Sequence, residues 1–370
     1  MKKYIAIISI FIVVCLVVVF NDKTSDVQNT DEIVIGGALI LSGDAASWGE
    51  SSKNGMELAI KDINDDGGIM GKKVVAKYED TEISPISTIS AFNKLTDYHK
   101  VNFIIGTNWS NQGLALTDLA QQKKVVLVSP SLGVKEFNEA NPYIFNVYQH
   151  DFLLSRDLAD IVYKKGHRNV AIIGANDVWV QDQTKNFKDR FTQLGGKVSF
   201  IYEPNVEEKD IRTGAMKIKQ DQSIDAVIVT VAGYSLFDVI MNQIDDINID
   251  LPVFSENIDN TLIANCKGSC EGLTFPVSLT PTKEFEQRYK VAYNREIQIG
   301  ADSAYDAVMM IAQAMNATKS TDPDKVKDYM ASIKEYDGMS GHLKSDGLRA
   351  FTKPYVIKRV VNGKAVTVVE

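Results

Sequence analysis

The sequence predicts an α/β protein of two doubly wound lobes with mainly parallel sheets. Three observations carry this. At 370 residues the chain is too long for one ordinary core and suits two. Strand and helix patterns alternate from Ile33 onward, and the series restarts near Asp151. Beyond Lys283 the rhythm breaks into helical patterns followed by a hairpin, pieces too small to form a lobe alone. The chain is therefore expected to cross between the lobes more than once.

The elements follow in order. The apolar run Ile33 to Leu41 reads as a strand, and Ser42 to Gly49 as a loop of small residues around Trp48. The next stretch carries Met56, Ala59, Ile60 and Ile63 on one helical face. The loop lies at the carboxyl end of its strand, where open α/β sheets bind ligands. It holds no Lys, no GxGxxG and no GK[ST], so it lacks phosphate-cradling equipment. Further strands are expected at Val74–Tyr78, Phe103–Ile105, Val125–Val128 and Tyr143–Val147, with helices at Pro85–His99 and Asn111–Gln122 between them. The second series places helices at Asp151–Lys165, Gln181–Leu194, Arg212–Gln220 and Leu236–Ile244. Its strands are Val170–Gly174, Val198–Tyr202, Ala226–Thr230 and Pro252–Ser255. In the tail, helical patterns cover Lys283–Arg295, Ser303–Ala317 and Asp324–Ser332. Tyr355–Val361 and Ala365–Val369 then flank the turn pair Asn362-Gly363, a hairpin signal.

Composition narrows the function. A hydrophobic content of 45% with 24% charged residues describes a folded globular chain. A net charge of −8 argues against nucleic acid, which needs a basic surface. Lys2 and Lys3 precede an uncharged apolar run, Tyr4 to Phe20, and a polar linker follows to Asp31. At 1.5 Å per residue the run reaches about 25 Å, close to a roughly 30 Å hydrocarbon core. Three readings stand: an uncleaved membrane anchor, which we favour; a cleaved signal, though no A-x-A-like site follows; and a lipoprotein through Cys15, though Val14 is not the small residue expected before it. All three place the folded body outside the cytoplasm. Cysteines in exported proteins tend to pair, so Cys266 and Cys270 in NCKGSCEG are expected to form a small disulfide, with two free thiols as the alternative. A zinc site would need further ligands, and His99, His150, His167 and His342 are scattered.

The chain resembles the substrate-binding proteins of branched-chain amino-acid ABC transporters, the type I periplasmic binding proteins. The resemblance runs from Ile33 to the C-terminus. Its motifs are GALILSGDAASWGESSKNGMELAIKDINDDGGIMGKK, YEDT, IIGTNWSNQG, VLVSPS, YIFNV with Asp151, VAIIGANDVW, VAGYS, FSEN and GADSAYDAV. It implies a flytrap: two α/β lobes joined by a hinge of crossover strands, closing on a ligand in the cleft. The expected division is residues 32–150 and 278–338 for lobe 1, and 151–277 and 339–370 for lobe 2.

The resemblance also implies site residues. Ser110 would hold a ligand carboxylate with its hydroxyl and neighbouring N–H groups; it also suits an ordinary N-cap. Ser131 would offer its carbonyl to a ligand ammonium. Gly133 stands where the family usually has Thr or Ser, so a hydroxyl is missing. Glu256 matches the acid that pairs with the ammonium, against the alternative of a surface glutamate. Asp151 matches a cleft acid and also begins a helix. Trp48, Trp179 and Tyr234 match cleft aromatics, each following a strand, although aromatics fill cores as well. The implied function is capture of a small amino acid (branched-chain, aromatic or otherwise apolar) for an ABC importer's membrane permease, without cofactor or metal. An amide, urea or carboxylate is the alternative ligand, and an extracellular sensing module the alternative role. An enzyme is not expected: the nucleotide fingerprint and GxSxG are both missing from the sequence.

Overall fold

The computed structural model describes residues 32–43, 45–231, 235–256, 258–278, 281–353 and 355–368. The N-terminal segment 1–31 lies outside the described residues, and so does Tyr234. Among the described residues no helix is long and apolar enough to cross a membrane.

The first series runs β1 (Glu32–Leu39), α1 (Ala46–Asp65), β2 (Lys73–Asp80), α2 (Pro85–Asn93), β3 (Phe103–Gly106), α3 (Ser110–Leu114), α4 (Thr117–Lys123), β4 (Val126–Ser129), α5 (Lys135–Glu139) and β5 (Ile144–Asn146). The second runs α6 (Asp151–Lys164), β6 (Asn169–Ile173), α7 (Val178–Gln193), β7 (Lys197–Tyr202), α8 (Arg212–Gln220), β8 (Ala226–Val229), α9 (Leu236–Asp246), β9 (Val253–Ser255), α10 (Asn260–Asn265) and β10 (Thr274–Ser278). The tail supplies α11 (Lys283–Tyr293), α12 (Ala301–Thr318), α13 (Pro323–Ser332), β11 (Glu335–Gly338), β12 (Gly341–Ser345), β13 (Phe351–Thr352), β14 (Tyr355–Val361) and β15 (Lys364–Thr367).

Among the described residues the strands form a five-stranded sheet ordered β2-β1-β3-β4-β5, a seven-stranded sheet ordered β15-β14-β10-β9-β8-β6-β7, and a small sheet β11-β12-β13. The five-stranded sheet is parallel throughout; in the larger one only the β10-β14-β15 end is antiparallel. Both large sheets are covered on two faces, which explains their continuous apolar strands. Phe103, Ile105, Val126 and Val128 face one core, while Ala38, Ile104, Leu127 and Ile144 face another. In the second lobe Ala171, Ile173, Val227 and Val229 oppose Val170, Ile172, Ala226 and Ile228 in the same way. Full burial of each such Val, Ile or Phe stabilises by about 1.5–3 kcal/mol.

The tail is shared between the lobes. Phe285, Tyr289, Val308, Met315 and Met330 complete the first core, and β14 and β15 extend the second sheet. One expected boundary is corrected. Residues 339–370 are expected in lobe 2, but within them Leu343 and Phe351 are buried in the first core. Asn146 of β5 pairs with Ala350, and His150 Nδ1 lies 2.7 Å from Asp346 Oδ2. The chain thus passes between the lobes from β5 to α6, from β10 to α11 and from β13 to β14. Cys266 and Cys270 are disulfide-bonded and buried at the end of α10. The helix expected at Asn111–Gln122 divides into α3 and α4 around Ala115 and Leu116.

Candidate functional site

Strand order locates the crevice. In the first sheet β1 lies between β2 and β3, and in the second β6 lies between β7 and β8. Each is a topological switch point, where loops leave the carboxyl ends in opposite directions. Trp48 follows β1 and Trp109 follows β3, so the two straddle the first switch point. Their rings stack 5.2 Å apart at 18°. Trp179 follows β6. Its place is set by Asp177, the N-cap of α7, whose carboxylate accepts from the Trp179 and Val180 amides at 2.9 and 3.2 Å.

Trp179 belongs to both lobes. It packs against the second-lobe core and also against the first-lobe cluster of Leu132, Val134 and Phe137. Its indole Nε1 donates to Asp151 Oδ2 at 2.5 Å. Asp151 opens α6 at the first crossing and is 3% exposed; its amide donates to the Gly133 carbonyl at 2.9 Å. A Cβ built on Gly133 would stand 1.6 Å from Asp151 Oδ2. Glycine is therefore required at position 133 by the acid that occupies its side-chain space.

The loops of the first lobe are braced from within. Ser131 Oγ donates to the Asn108 carbonyl at 3.2 Å, and Ser129 Oγ donates to the Thr107 carbonyl at 3.0 Å. Asn108 accepts from the Ile40 amide at 3.2 Å and donates to Ser52 Oγ at 2.9 Å. Ser110 is buried at the first position of α3.

Across the cleft, Glu256 follows β9 and is 0% exposed. Ser155 Oγ lies 3.0 and 2.9 Å from its two carboxyl oxygens and 2.5 Å from Gln183 Oε1. The Ser155 hydroxyl, with one hydrogen to donate, is shared among these acceptors and the Asp151 carbonyl at 3.3 Å. Burial, and next the Asp151 charge, hold the Glu256 carboxyl well above the usual range. Among the described residues no Lys or Arg pairs with Glu256. Tyr148, partly buried on the crossing, has its phenol pushed up by burial and by Asp151, Asp302 and Glu256. Lys353 Nζ is 2.9 Å from Asp302 Oδ2, a pair buried where the last crossing meets α12.

The structure thus gathers Trp48, Ser110, Ser131, Gly133, Asp151, Trp179 and Glu256 at the carboxyl edges of the two sheets and the crossing between them. Trp109, Tyr148 and Ser155 were not singled out from the sequence, although Trp109 sits inside the quoted GTNWSNQG. Among the described residues no group of His, Cys, Asp and Glu is arranged to hold a metal ion.

The fold and this cleft define a two-lobed α/β binding protein. Residues 32–364 match the periplasmic binding protein family, and the chain belongs to it. A Leu/Ile/Val-binding protein homolog of Brucella abortus is 25% identical over 327 residues, covering 85% of this chain and 86% of its own. The branched-chain amino acid transporter substrate binding protein LivJ of Streptococcus pneumoniae, in complex with isoleucine, superposes with a TM-score of 0.78. It is 22% identical and covers 91% of this chain and 99% of its own. A solute binding protein of Rhodopseudomonas palustris in complex with 3,4-dihydroxybenzoic acid gives a TM-score of 0.78 at 24% identity, covering 90% and 95%. At these identities the solved structures establish the fold. The family is one of extracytoplasmic solute-binding proteins serving ABC transport, and that holds for this chain.

Proposed function

We propose that the protein captures a small amine-bearing solute of the amino-acid class, with an apolar side chain, by closing its lobes on it, and delivers it to the permease of an ABC importer. The observation that carries this reading is Glu256: a fully buried carboxyl at a sheet's carboxyl edge, with no Lys or Arg paired to it among the described residues. A ligand ammonium would supply the cation. Trp48, Trp109 and Trp179 would wall the side chain, and Ser110 with the Ser131 loop would meet the far end of the ligand. Differential affinity for the closed arrangement shifts the open–closed equilibrium.

The relative bound to a dihydroxybenzoic acid keeps an aromatic carboxylate in view. The buried Asp151, whose charge already raises the Glu256 pKa, weighs against it here, because like charges destabilise one another in a low dielectric. The apolar segment Tyr4–Phe20 would tether the body near its permease and raise their effective concentration. Membrane fractionation, with and without that segment, tests the tether.

The test of the function is calorimetry on protein freed of carried-over ligand by unfolding and refolding. The panel holds the amino acids, their amides, and benzoates. Micromolar binding of an apolar amino compound, about −8 kcal/mol, is expected, weakened by ~2–5 kcal/mol in Glu256→Gln. Heat from benzoates alone would replace the amino reading with the carboxylate one.

A further inference from the structure

The cleft is unequally equipped for the two ends of an amino acid. On the anion side, α3 spans only Ser110–Leu114, too short for a strong dipole. The Ser131 hydroxyl is engaged by the Asn108 carbonyl, and Gly133 has no side chain to offer. The buried cation beside the cleft, Lys353, is paired with Asp302. On the cation side stand two acids, Asp151 and Glu256, bridged by one hydroxyl: Ser155 Oγ lies 3.3 Å from the Asp151 carbonyl and 2.9 Å from the Glu256 carboxyl. Asp151 fills the volume beside Gly133 where a donor side chain would otherwise project. Trp179 fixes it there through the indole N–H.

We infer that Asp151, seated against the bare backbone of Gly133, is a second acidic specificity group, and that the cleft prefers a solute of net charge +1 to a zwitterion. The preferred class is an apolar primary amine whose carboxylate is masked as an amide or missing. The inference rests on the amine-capture reading above and sharpens it. In an α-amino-acid zwitterion the carboxylate carbon sits two bonds from the ammonium nitrogen, so any pose that lodges the ammonium between Asp151 and Glu256 brings an anion against them. Removing that carboxylate removes the repulsion and leaves the ammonium contact intact.

The full-length protein, stripped of carried-over ligand, is titrated with leucine, leucinamide, isopentylamine and benzoate at a pH where the three amines carry an ammonium. Leucinamide is expected to bind at least tenfold more tightly than leucine. Asp151→Asn should shrink that ratio at least fivefold, and Gly133→Ala, whose methyl group would displace the Asp151 carboxyl, should shrink it too. Circular dichroism verifies that each variant folds, and the wild-type ratio decides the matter even if neither does. Leucine binding as tightly as leucinamide would overturn the inference and leave amine capture standing. Binding of benzoate with silence toward all three amines, or silence toward all four probes, would overturn both.

Discussion

At the residue scale, Glu256 joins chemistry to stability. Its folded-state pKa is raised, chiefly by burial and then by Asp151. The folded protein therefore keeps this proton at pH values where the unfolded chain, with an ordinary glutamate near pKa 4.3, has lost it. Stability then falls as pH rises from the unfolded value toward the folded one, and above the folded value the penalty is complete. Glu256→Gln removes that titration. In ligand-free protein the melting temperature of the variant should gain on wild type between acid pH and neutrality, and parallel curves would refute the assignment. A ligand ammonium reverses the balance by favouring the ionised carboxyl, so binding should release a proton. Heats measured in two buffers of different ionisation enthalpy should differ accordingly. Tyr148 escaped the sequence reading for a physical reason: nothing local distinguishes a tyrosine near a strand end from a core aromatic.

At the element scale, the first lobe depends on how closely α1 approaches its neighbours. A Cβ on Gly55 would lie 1.9 Å from the Ala301 carbonyl oxygen of α12, and one on Gly49 would lie 1.8 Å from the Ile40 oxygen. Backbone atoms cannot rotate aside as side chains can. Gly55→Ala should therefore cost ~1–3 kcal/mol or more, read by urea denaturation. Lys61→Ala on the exposed face of the same helix, where Lys61 pairs with Asp65 in solvent, should leave the urea midpoint nearly unchanged. Equal losses would show that the helix contact is not the close one described. Most of the longer helices and parallel strands were legible because their apolar periodicities are strong and local, whereas the short α5, α10 and β10 were not among the expected elements. The sheet β11–β13 was not: EYDG and GHLKS mix charge and glycine with little alternation. Its place is set by Leu343 and Phe351 reaching the first core.

At the scale of the whole molecule, the protein has 3 tryptophans, Trp48, Trp109 and Trp179, and each of them follows the carboxyl end of a strand in one of the two large sheets. Trp179 is held by contacts from both lobes. Ligand binding should thus change the intrinsic fluorescence along a saturating curve with the midpoint found by calorimetry. Trp179→Phe should remove much of the change. Heat without any change in emission would argue that the solute binds away from this cleft. The crossings carry His150, Asp151 and Lys353, tied to Asp346, to the Gly133 carbonyl and to Asp302 respectively.

By itself the sequence determined the fold class, the alternation of strands and helices in the two series, and the extracytoplasmic family. Each of these is carried by a local period or by a motif whose members adjoin in the chain. Trp109 shows the limit: it precedes Ser110, yet extended backbone at φ −129° and ψ 142° turns its ring toward Trp48. Only the tertiary structure decided that Asp151 occupies the side-chain space of Gly133, that Ser155 meets Glu256, and that residues 341–352 join the first lobe. Those are contacts between atoms far apart along the chain. Their formation depends on the shape left when two sheets and their helices close-pack, which no local pattern of residues encodes.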